Sequence, residues 1–421
     1  QMKHYKHLFI AIFAITILGT PWLVSVHKPS SVFVENLFSY VKVNYSAAFF
    51  QEGVTLAQLR DKYDQASVGR EKVRIFIMPG HEPDAGGTQF GSLKERDMVV
   101  DLAKHLEGYL SNDPHFEVVV GRDKKAWNPK LESYFQNNWN EIINFVSTSK
   151  NEMIRLLSSG RLYKLEEGVV EHNDLPKNSA LRLYGINKWN NENSTDIAIH
   201  IHFNDYRRSN TKVPGEYTGF SIYVPERQYS NATSTRVIAD HLFKRLSRYN
   251  PVSNLPDEDV GIVQEQDLIA IGAYNTANSA SMLIEYGYIY EPQYLDATAR
   301  DITIKDQAFQ TYLGIQDFFG GESQGVSYDT LTLPHTWKND ISTNNFDRKD
   351  VLALQSALIL EGLYPPNDKT KNECPRTGKF AACTVSAVAN FQKKYNIVGE
   401  KNIVGENTRK VLNNLYSSVI R

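Results

Sequence analysis

The chain has 421 residues, and its 46 Lys and Arg residues nearly balance its 48 Asp and Glu residues, giving a formal net charge of −2. It lacks the basic excess of nucleic-acid-binding domains, so we exclude nucleic acid as a partner. Hydrophobic residues make up 41% of the sequence, which is enough for globular cores, and the length accommodates two or three domains.

The first 27 residues have the pattern of a targeting segment. A basic start precedes an apolar run from Leu8 to Val26 that is just long enough to cross a bilayer. No clear cleavage site follows, so we favour an uncleaved signal anchor over a cleaved signal peptide. In either case the remainder is exported. We expect residues 28–70 to form a stalk and lead-in, with a short helix over Leu56–Tyr63.

Residues 71–320 alternate between strand-like apolar runs and helical patterns, which is typical of an α/β domain with a mainly parallel sheet. A stretch without strand signal interrupts this domain at about 127–178, and its helical pattern over Lys130–Leu157 predicts a helical insertion. The predicted strands are Val73–Met78, Phe116–Val120, Ile197–Ile201, Gly219–Val224 and Ser281–Ile284, and the predicted helices include Leu93–Leu106, Thr233–Ser247 and Ile304–Phe318.

The first predicted strand is followed by a conspicuous pair of polar residues. His81 comes directly after the strand, and Glu95 begins the next helix after a glycine-containing loop. Met98 and Leu102 follow Glu95 at helical spacing, so the carboxylate lies on the apolar stripe of the helix. A buried carboxylate needs a partner, and a metal ion beside His81 would be one. The alternative is a carboxylate that interacts with the helix dipole alone.

Two further strands end in titratable residues. His200 and His202 are two apart on one strand and point to the same side, and Glu285 follows the apolar run Met282–Ile284. In open α/β sheets ligands bind at this carboxyl edge. Two imidazoles and one carboxylate, with a fourth position for water, form a catalytic zinc arrangement. A second carboxylate could then take a proton from that water.

The motifs MPGHEPDAGG, KERD, IHIHFND and MLIEYGY occur in this order along the chain. Together they resemble the zinc-dependent N-acetylmuramoyl-L-alanine amidases of the amidase-3 type. The resemblance covers about Val73 to Phe319 without the insertion. It implies a twisted mixed sheet flanked by helices, and it implies hydrolysis of the amide between the lactyl group of N-acetylmuramic acid and the L-alanine of the peptidoglycan stem peptide.

The resemblance also implies roles for individual residues. His81, Glu95 and His202 would bind zinc, and Glu285 would be the catalytic carboxylate. Asn204 matches the family's asparagine two positions after the strand-end histidine.

The chain departs from the family pattern around two of these motifs. Glu82-Pro83 replaces the usual glycine pair, and Asp84 would be the acidic residue of that loop. His200 stands where the family commonly has serine. It would contact a metal ligand or the substrate, and the alternative is a strand histidine that faces a polar pocket.

The C-terminal part is predicted to be a linker, residues 321–345, followed by a small helical module, residues 346–421. Its landmarks Leu354–Gln355 and Phe391–Gln392 resemble those of peptidoglycan-binding domain 1, which implies a role in holding the enzyme on the cell wall. Both cysteines of the chain, Cys374 and Cys383, lie in this module, and no further residues complete a zinc site. For an exported module, a disulfide is favoured over two free thiols.

Some amidases of this family carry a helix that covers the zinc site until an activator protein moves it. By resemblance Lys130–Leu157 would be such a lid, and the alternative is a surface decoration or a partner-docking helix. The predicted protein is therefore an extracytoplasmic zinc amidase of the cell wall or periplasm, membrane-anchored or secreted. The rival interpretations are an inactive wall-binding scaffold and a zinc peptidase that cuts within the stem peptide.

Overall fold

The computed structural model describes residues 53–165, 175–320 and 328–418. The predicted targeting segment and most of the stalk lie outside the described residues. Within the described ranges, no helix combines the length and the apolar composition needed to span a bilayer.

A six-stranded sheet forms the centre of the larger domain. Its strands are β1 (Val73–Pro79), β4 (Phe116–Val120), β5 (Ile197–Asn204), β6 (Ser221–Pro225), β7 (Ile262–Glu265) and β8 (Ala280–Tyr288), and β2 (Gln89–Phe90) and β3 (Leu93–Lys94) form a separate hairpin. The strand order in the sheet is β4-β1-β5-β8-β6-β7, and every neighbouring pair is parallel except β6 and β8. The sheet is therefore mixed but mainly parallel, as predicted.

Helices cover both faces of this sheet. The helices are α1 (Leu56–Ala66), α2 (Glu95–Ser111), α3 (Pro129–Ser158), α4 (Lys177–Glu192), α5 (Ala232–Tyr249), α6 (Pro292–Leu295), α7 (Ala297–Phe319), α8 (Arg348–Leu360), α9 (Ala382–Lys394) and α10 (Glu406–Tyr416). Helices α1, α2, α5 and α7 pack on one face, against Ile75 and Ile199. Helices α3 and α4 pack on the other, against Phe76 and Ala198.

All five predicted strands are present, and the domain has further elements that were not predicted, among them β7 and α4. The edge strand β7 has a single fully buried residue, so it lacks the apolar run that marks the inner strands. Helix α4 buries Gly185, Asn187 and Asn190 beside its aromatic residues, so its buried face shows little helical hydrophobic periodicity. The predicted insertion contains α3, with a kink at Asn138, and no strand among its described residues.

The domain borders differ from the predicted ones. Leu59 and Tyr63 of α1 belong to the core of the sheet domain, so this part of the predicted lead-in is integral to it. Trp337 and Ile341 pack in the core of the C-terminal module, so the described part of the predicted linker, from residue 328, belongs to that module. Within the module, Cys374 and Cys383 form the predicted disulfide.

The C-terminal module docks on the sheet domain through a buried ion pair. Arg376 of the module contacts Asp306 of α7, and both side chains are almost fully buried. Arg376 also donates to Ser356 Oγ at 2.8 Å and lies over the ring of Tyr249 at 5.0 Å. The two units are thus held in a defined arrangement.

Candidate metal centre

The loop after β1 brings His81 to the carboxyl edge of the sheet. The Gly80 N–H donates to Ile201 O at 2.9 Å, which fixes the loop against β5. His81 itself adopts a left-handed backbone, with φ of 68°. A Cβ on Gly80 would lie 2.3 Å from Cε1 of His202, so the close approach of this loop to His202 requires glycine.

Glu95 is the point where two imidazoles converge. It is the first residue of α2 and only 4% exposed. Its Oε1 lies 2.8 Å from His81 Nε2 and 3.1 Å from His202 Nδ1. The backbone N–H groups of Phe203 and Thr88 donate to its two oxygens at 3.1 and 2.9 Å and orient the carboxylate. The three side chains offer ligand atoms that all lie within 4.8 Å of one another.

The chemistry of this donor set fits a divalent cation such as Zn²⁺. Burial raises the pKa of Glu95, but the charge of His81 and the hydrogen bond and charge of His202 outweigh it and hold this pKa well below its usual range. Burial lowers the pKa of His202. An ionised carboxylate and a neutral imidazole are the protonation states of metal ligands. His81 Nε2 lies close to Glu95 but does not have the geometry of a hydrogen bond to it. This ring nitrogen therefore has no hydrogen-bond partner among the described residues.

Glu285 lies directly beside His202, on the neighbouring strand. The two residues are register partners on β8 and β5, and both face the side of the sheet on which α3 and α4 pack. Glu285 is 6% exposed, and its Oε2 has no hydrogen-bond partner. Burial raises its pKa well above the ordinary value, and the charges of Glu95 and Glu258 raise it further. A carboxyl group with these properties is suited to proton transfer.

A cavity of about 450 Å³ contains the three converging side chains and Glu285. Its lining includes the polar residues Thr88, Asn204 and Asp205. It also includes apolar residues: Met78, Trp127, Leu183, Leu268, Ala270 and Leu283. The site is thus a pocket with a few polar groups on an apolar background, as small-molecule and substrate sites commonly are.

The remaining predicted residues divide into two groups. His200 lines the cavity with its Nε2 buried and unpartnered, and burial lowers its pKa to about 3, so the imidazole is neutral. Asn204 also lines the cavity and donates to Glu258 Oε1 at 2.9 Å. Asp84 is exposed and is not part of the cavity lining, and its carbonyl oxygen accepts from Arg96 at 3.1 Å. The structure therefore does not bring the Asp84 carboxylate to the site.

A comparison with known protein families gives a match over part of the chain. Residues 164–317 match the family model described as N-acetylmuramoyl-L-alanine amidase, a span that contains His202 and Glu285. This span is therefore similar to that family. A search of curated proteins finds no match.

Solved structures similar to this chain include three amidases. The N-acetylmuramyl-L-alanine amidase Ami1 from Mycobacterium smegmatis is 13% identical, with a TM-score of 0.39 over 59% of this chain and 99% of its own. An N-acetylmuramoyl-L-alanine amidase from Clostridium difficile 630 is 17% identical, with a TM-score of 0.35 over 60% and 99%. The CwlD amidase from Clostridioides difficile, solved in complex with the GerS lipoprotein, is 16% identical, with a TM-score of 0.37 over 59% and 99%.

Arg122 is a residue beside the site that the sequence analysis did not identify. It is 2% exposed and donates to the carbonyl oxygens of Pro79 and Arg96, each at 3.0 Å, and to that of Gly80. These carbonyls immediately precede His81 and follow Glu95. Arg122 thus fastens together the two backbone segments that present these side chains. It follows the end of β4, so the carboxyl-edge rule that found the histidines could have found it too.

The predicted insertion contributes to the cavity lining at its two ends. No residue of α3 lines the cavity, and the lining residues of the insertion are Trp127, Leu175 and Pro176. Ser179, Arg182 and Leu183 of α4 follow directly. There Arg182 pairs with Glu82 at 3.1 Å, beside His81. The lid predicted over Lys130–Leu157 therefore lies away from the cavity lining, against Phe76 and α4.

Proposed function

We propose that the protein is a zinc-dependent amidase that cleaves the amide between the lactyl group of N-acetylmuramic acid and the L-alanine of the stem peptide. The observation that carries the proposal is the convergence of His81, Glu95 and His202 beside the buried carboxyl group of Glu285 in one cavity. The match of residues 164–317 to the amidase family supports the substrate class.

His81, Glu95 and His202 would hold the zinc ion. When bound, zinc polarises the scissile carbonyl and lowers the pKa of a water molecule toward neutrality. The protein orients these ligands through hydrogen bonds from neighbouring groups. Thr88 and Phe203 fix the Glu95 carboxylate, and Arg122 fixes the backbone on either side. Such supporting contacts set the orientation and affinity of metal ligands.

Glu285 performs the proton transfers. Its unpartnered Oε2 accepts a proton from the attacking water and delivers it to the amine nitrogen of L-alanine as the carbon–nitrogen bond breaks. The products are a free lactyl carboxylate and an intact stem peptide. Burial among apolar neighbours raises the pKa of Glu285, which makes the carboxyl group able to act as both base and acid.

Product analysis tests this function against both rival interpretations. The wild-type protein would be incubated with purified muropeptides, and the products would be identified by mass spectrometry. An amidase releases whole stem peptides and leaves muramic acid without peptide. A peptidase would leave part of the peptide on muramic acid, and an inactive scaffold would yield no product. Either of the last two results contradicts the proposal.

We further propose that the C-terminal module binds peptidoglycan. The two glutamines of its repeated landmarks have equivalent structural roles, since each ties its helix to a following threonine. Gln355 donates to Thr384 Oγ1, and Gln392 donates to Thr408 Oγ1, both at 2.9 Å. The isolated module, residues 328–418, should cosediment with insoluble peptidoglycan, and failure to do so would contradict the assignment.

The proposed site of action is outside the cytoplasm, where the substrate lies and where disulfides persist. The Cys374–Cys383 disulfide supports this location. The predicted anchor or signal, within residues 1–27, would direct the chain there. A partner protein that acts on the insertion is also proposed, and the outer face of α3 offers it two exposed apolar residues, Ile143 and Ile154, which are 40% and 62% exposed.

A further inference from the structure

A second buried carboxyl group, that of Glu258, is bound by Asn204, a residue that lines the cavity. It is 1% exposed and accepts four hydrogen bonds from side chains of four different segments. Its Oε1 accepts from Asn204 Nδ2 at 2.9 Å and from Tyr223 OH at 2.6 Å. Its Oε2 accepts from Ser253 OH at 2.5 Å and from Tyr288 OH at 3.2 Å. One side chain thus connects the ends of β5 and β8 with the middle of β6 and the loop that follows α5.

These contacts coincide with an irregularity between β5 and β8. His202 pairs with Glu285, but two residues further on, Asn204 pairs with Tyr288, so β8 carries one extra residue in this interval. The extra residue is accommodated near Gly287, whose φ is 149°. Such bulges end regular pairing and change the direction of a strand next to a site.

Glu258 binds both members of the pair just beyond the bulge. Asn204 and Tyr288 are register partners, and each donates to a different oxygen of the same carboxylate. A carboxylate can accept at both oxygens at once, whereas an amide has one acceptor oxygen. Four donors are directed at the two oxygens of Glu258. Its replacement by an amide would leave donors from the strand ends without an acceptor.

We propose that Glu258 is a positioning residue of the amidase site, which locks the bulged ends of β5 and β8 and thereby sets the placement of Glu285 relative to His202. This inference rests on the proposed amidase function. Glu258 itself does not line the cavity, so it acts through Asn204 and Tyr288 rather than on the substrate. Because it adjusts the geometry of the reacting groups, its loss should lower kcat more than it changes KM.

The test compares Glu258→Gln with a matched variant, Asp196→Asn, in the full-length protein. Asp196 is also a buried carboxylate, but it precedes the opposite end of β5, where it accepts from Lys62 and from the Arg74 N–H. Both variants remove one buried negative charge with almost no change in shape. We would measure kcat and KM on muropeptides, zinc content, and hydrogen–deuterium exchange of the two ends of β5 and β8.

For Glu258→Gln we expect kcat to fall at least about tenfold, with KM and zinc content within about twofold of wild type. Exchange should increase at residues 203–206 and 286–289. For Asp196→Asn we expect wild-type kcat and faster exchange at the opposite strand ends. A Glu258→Gln enzyme with wild-type kcat would overturn the proposal, even if its stability fell.

Failure of the proposed function is distinguishable in the same experiment. If the wild-type protein released no product, the amidase assignment would fail, and the exchange measurement would decide the positioning role by itself. Faster exchange confined to the carboxyl ends in Glu258→Gln would support that role. Unchanged exchange there would overturn it.

Discussion

Arg122 gives the sharpest prediction about how the fold supports the metal centre. Arg122→Met keeps most of the side-chain volume and removes the guanidinium. The carbonyl groups of Pro79, Gly80 and Arg96 then lose a donor in a buried environment. These residues adjoin His81 and Glu95, so the perturbation reaches two of the three proposed ligands without altering either of them.

The expected loss of stability follows from the number of buried carbonyl groups that lose their hydrogen-bond donor. Each buried acceptor left without its charged donor costs about 1–3 kcal/mol. Because the three carbonyls can relax together, we expect Arg122→Met to lower the free energy of unfolding by about 3–5 kcal/mol rather than by the full sum. Loss of orientation at the ligands should also weaken zinc binding about tenfold or more.

Two assays check this prediction. Urea denaturation gives the free energy of unfolding, and competition with a chelating dye gives the zinc affinity. Arg74→Met is the matched control, since Arg74 lies near the opposite end of β1 and pairs with the half-exposed Glu117 at 3.3 Å. We expect that control to cost about 0–1 kcal/mol and to leave zinc affinity unchanged. If Arg122→Met bound zinc as tightly as this control, the supporting role of Arg122 would be refuted.

Three further predictions concern the C-terminal module. Arg376→Ala leaves the buried Asp306 without its charged partner, so denaturation should show a free energy of unfolding lower by about 3–5 kcal/mol. A decrease below about 1 kcal/mol would contradict the buried ion pair. Replacing Cys374 and Cys383 with serine opens a loop with a sequence separation of 9, which should cost about 2–3 kcal/mol in the same assay. Glu400 accepts hydrogen bonds from the backbone N–H groups of Gly405, Asn407 and Thr408 at the start of α10. Burial raises the pKa of Glu400, but these hydrogen bonds and the one from the Thr408 hydroxyl outweigh burial, so the pKa is lowered. A lowered folded-state pKa means that Glu400 stabilises the module above the ordinary value of 4.5 and stops doing so as the pH falls through the folded-state pKa. Denaturation from pH 7 to pH 3 should therefore show a steeper loss of stability for wild type than for Glu400→Gln, and parallel curves would contradict this role.

The convergence of the side chains at the candidate site was predictable because they come directly after apolar runs or begin a helix. His202 and Glu285 follow runs of buried residues, and parallel pairing brings their strand ends to one edge of the sheet. Glu95 was recognisable from its place on the buried face of α2. These are local signals, and the parallel topology converts them into spatial neighbours.

The supporting residues were harder to predict because their partners are backbone groups or distant side chains. Glu258 lies in a polar loop, and its contacts with Asn204 and Tyr223 join positions that are 54 and 35 residues apart. Arg122 donates to backbone carbonyl groups. Every residue has such a group, so these contacts leave no pattern in the sequence. The α4 helix was missed because small and amide residues fill its buried face.

The most direct test of the account measures zinc content and turnover in wild type, His202→Ala and Glu285→Gln. We expect wild type to bind about one zinc per chain and to release intact stem peptides. His202→Ala should lose most of the zinc, whereas Glu285→Gln should keep the zinc and lose at least about a hundredfold in kcat. If Glu285→Gln turned over at the wild-type rate, or if wild type bound no zinc, the proposed metal centre and its mechanism would be contradicted.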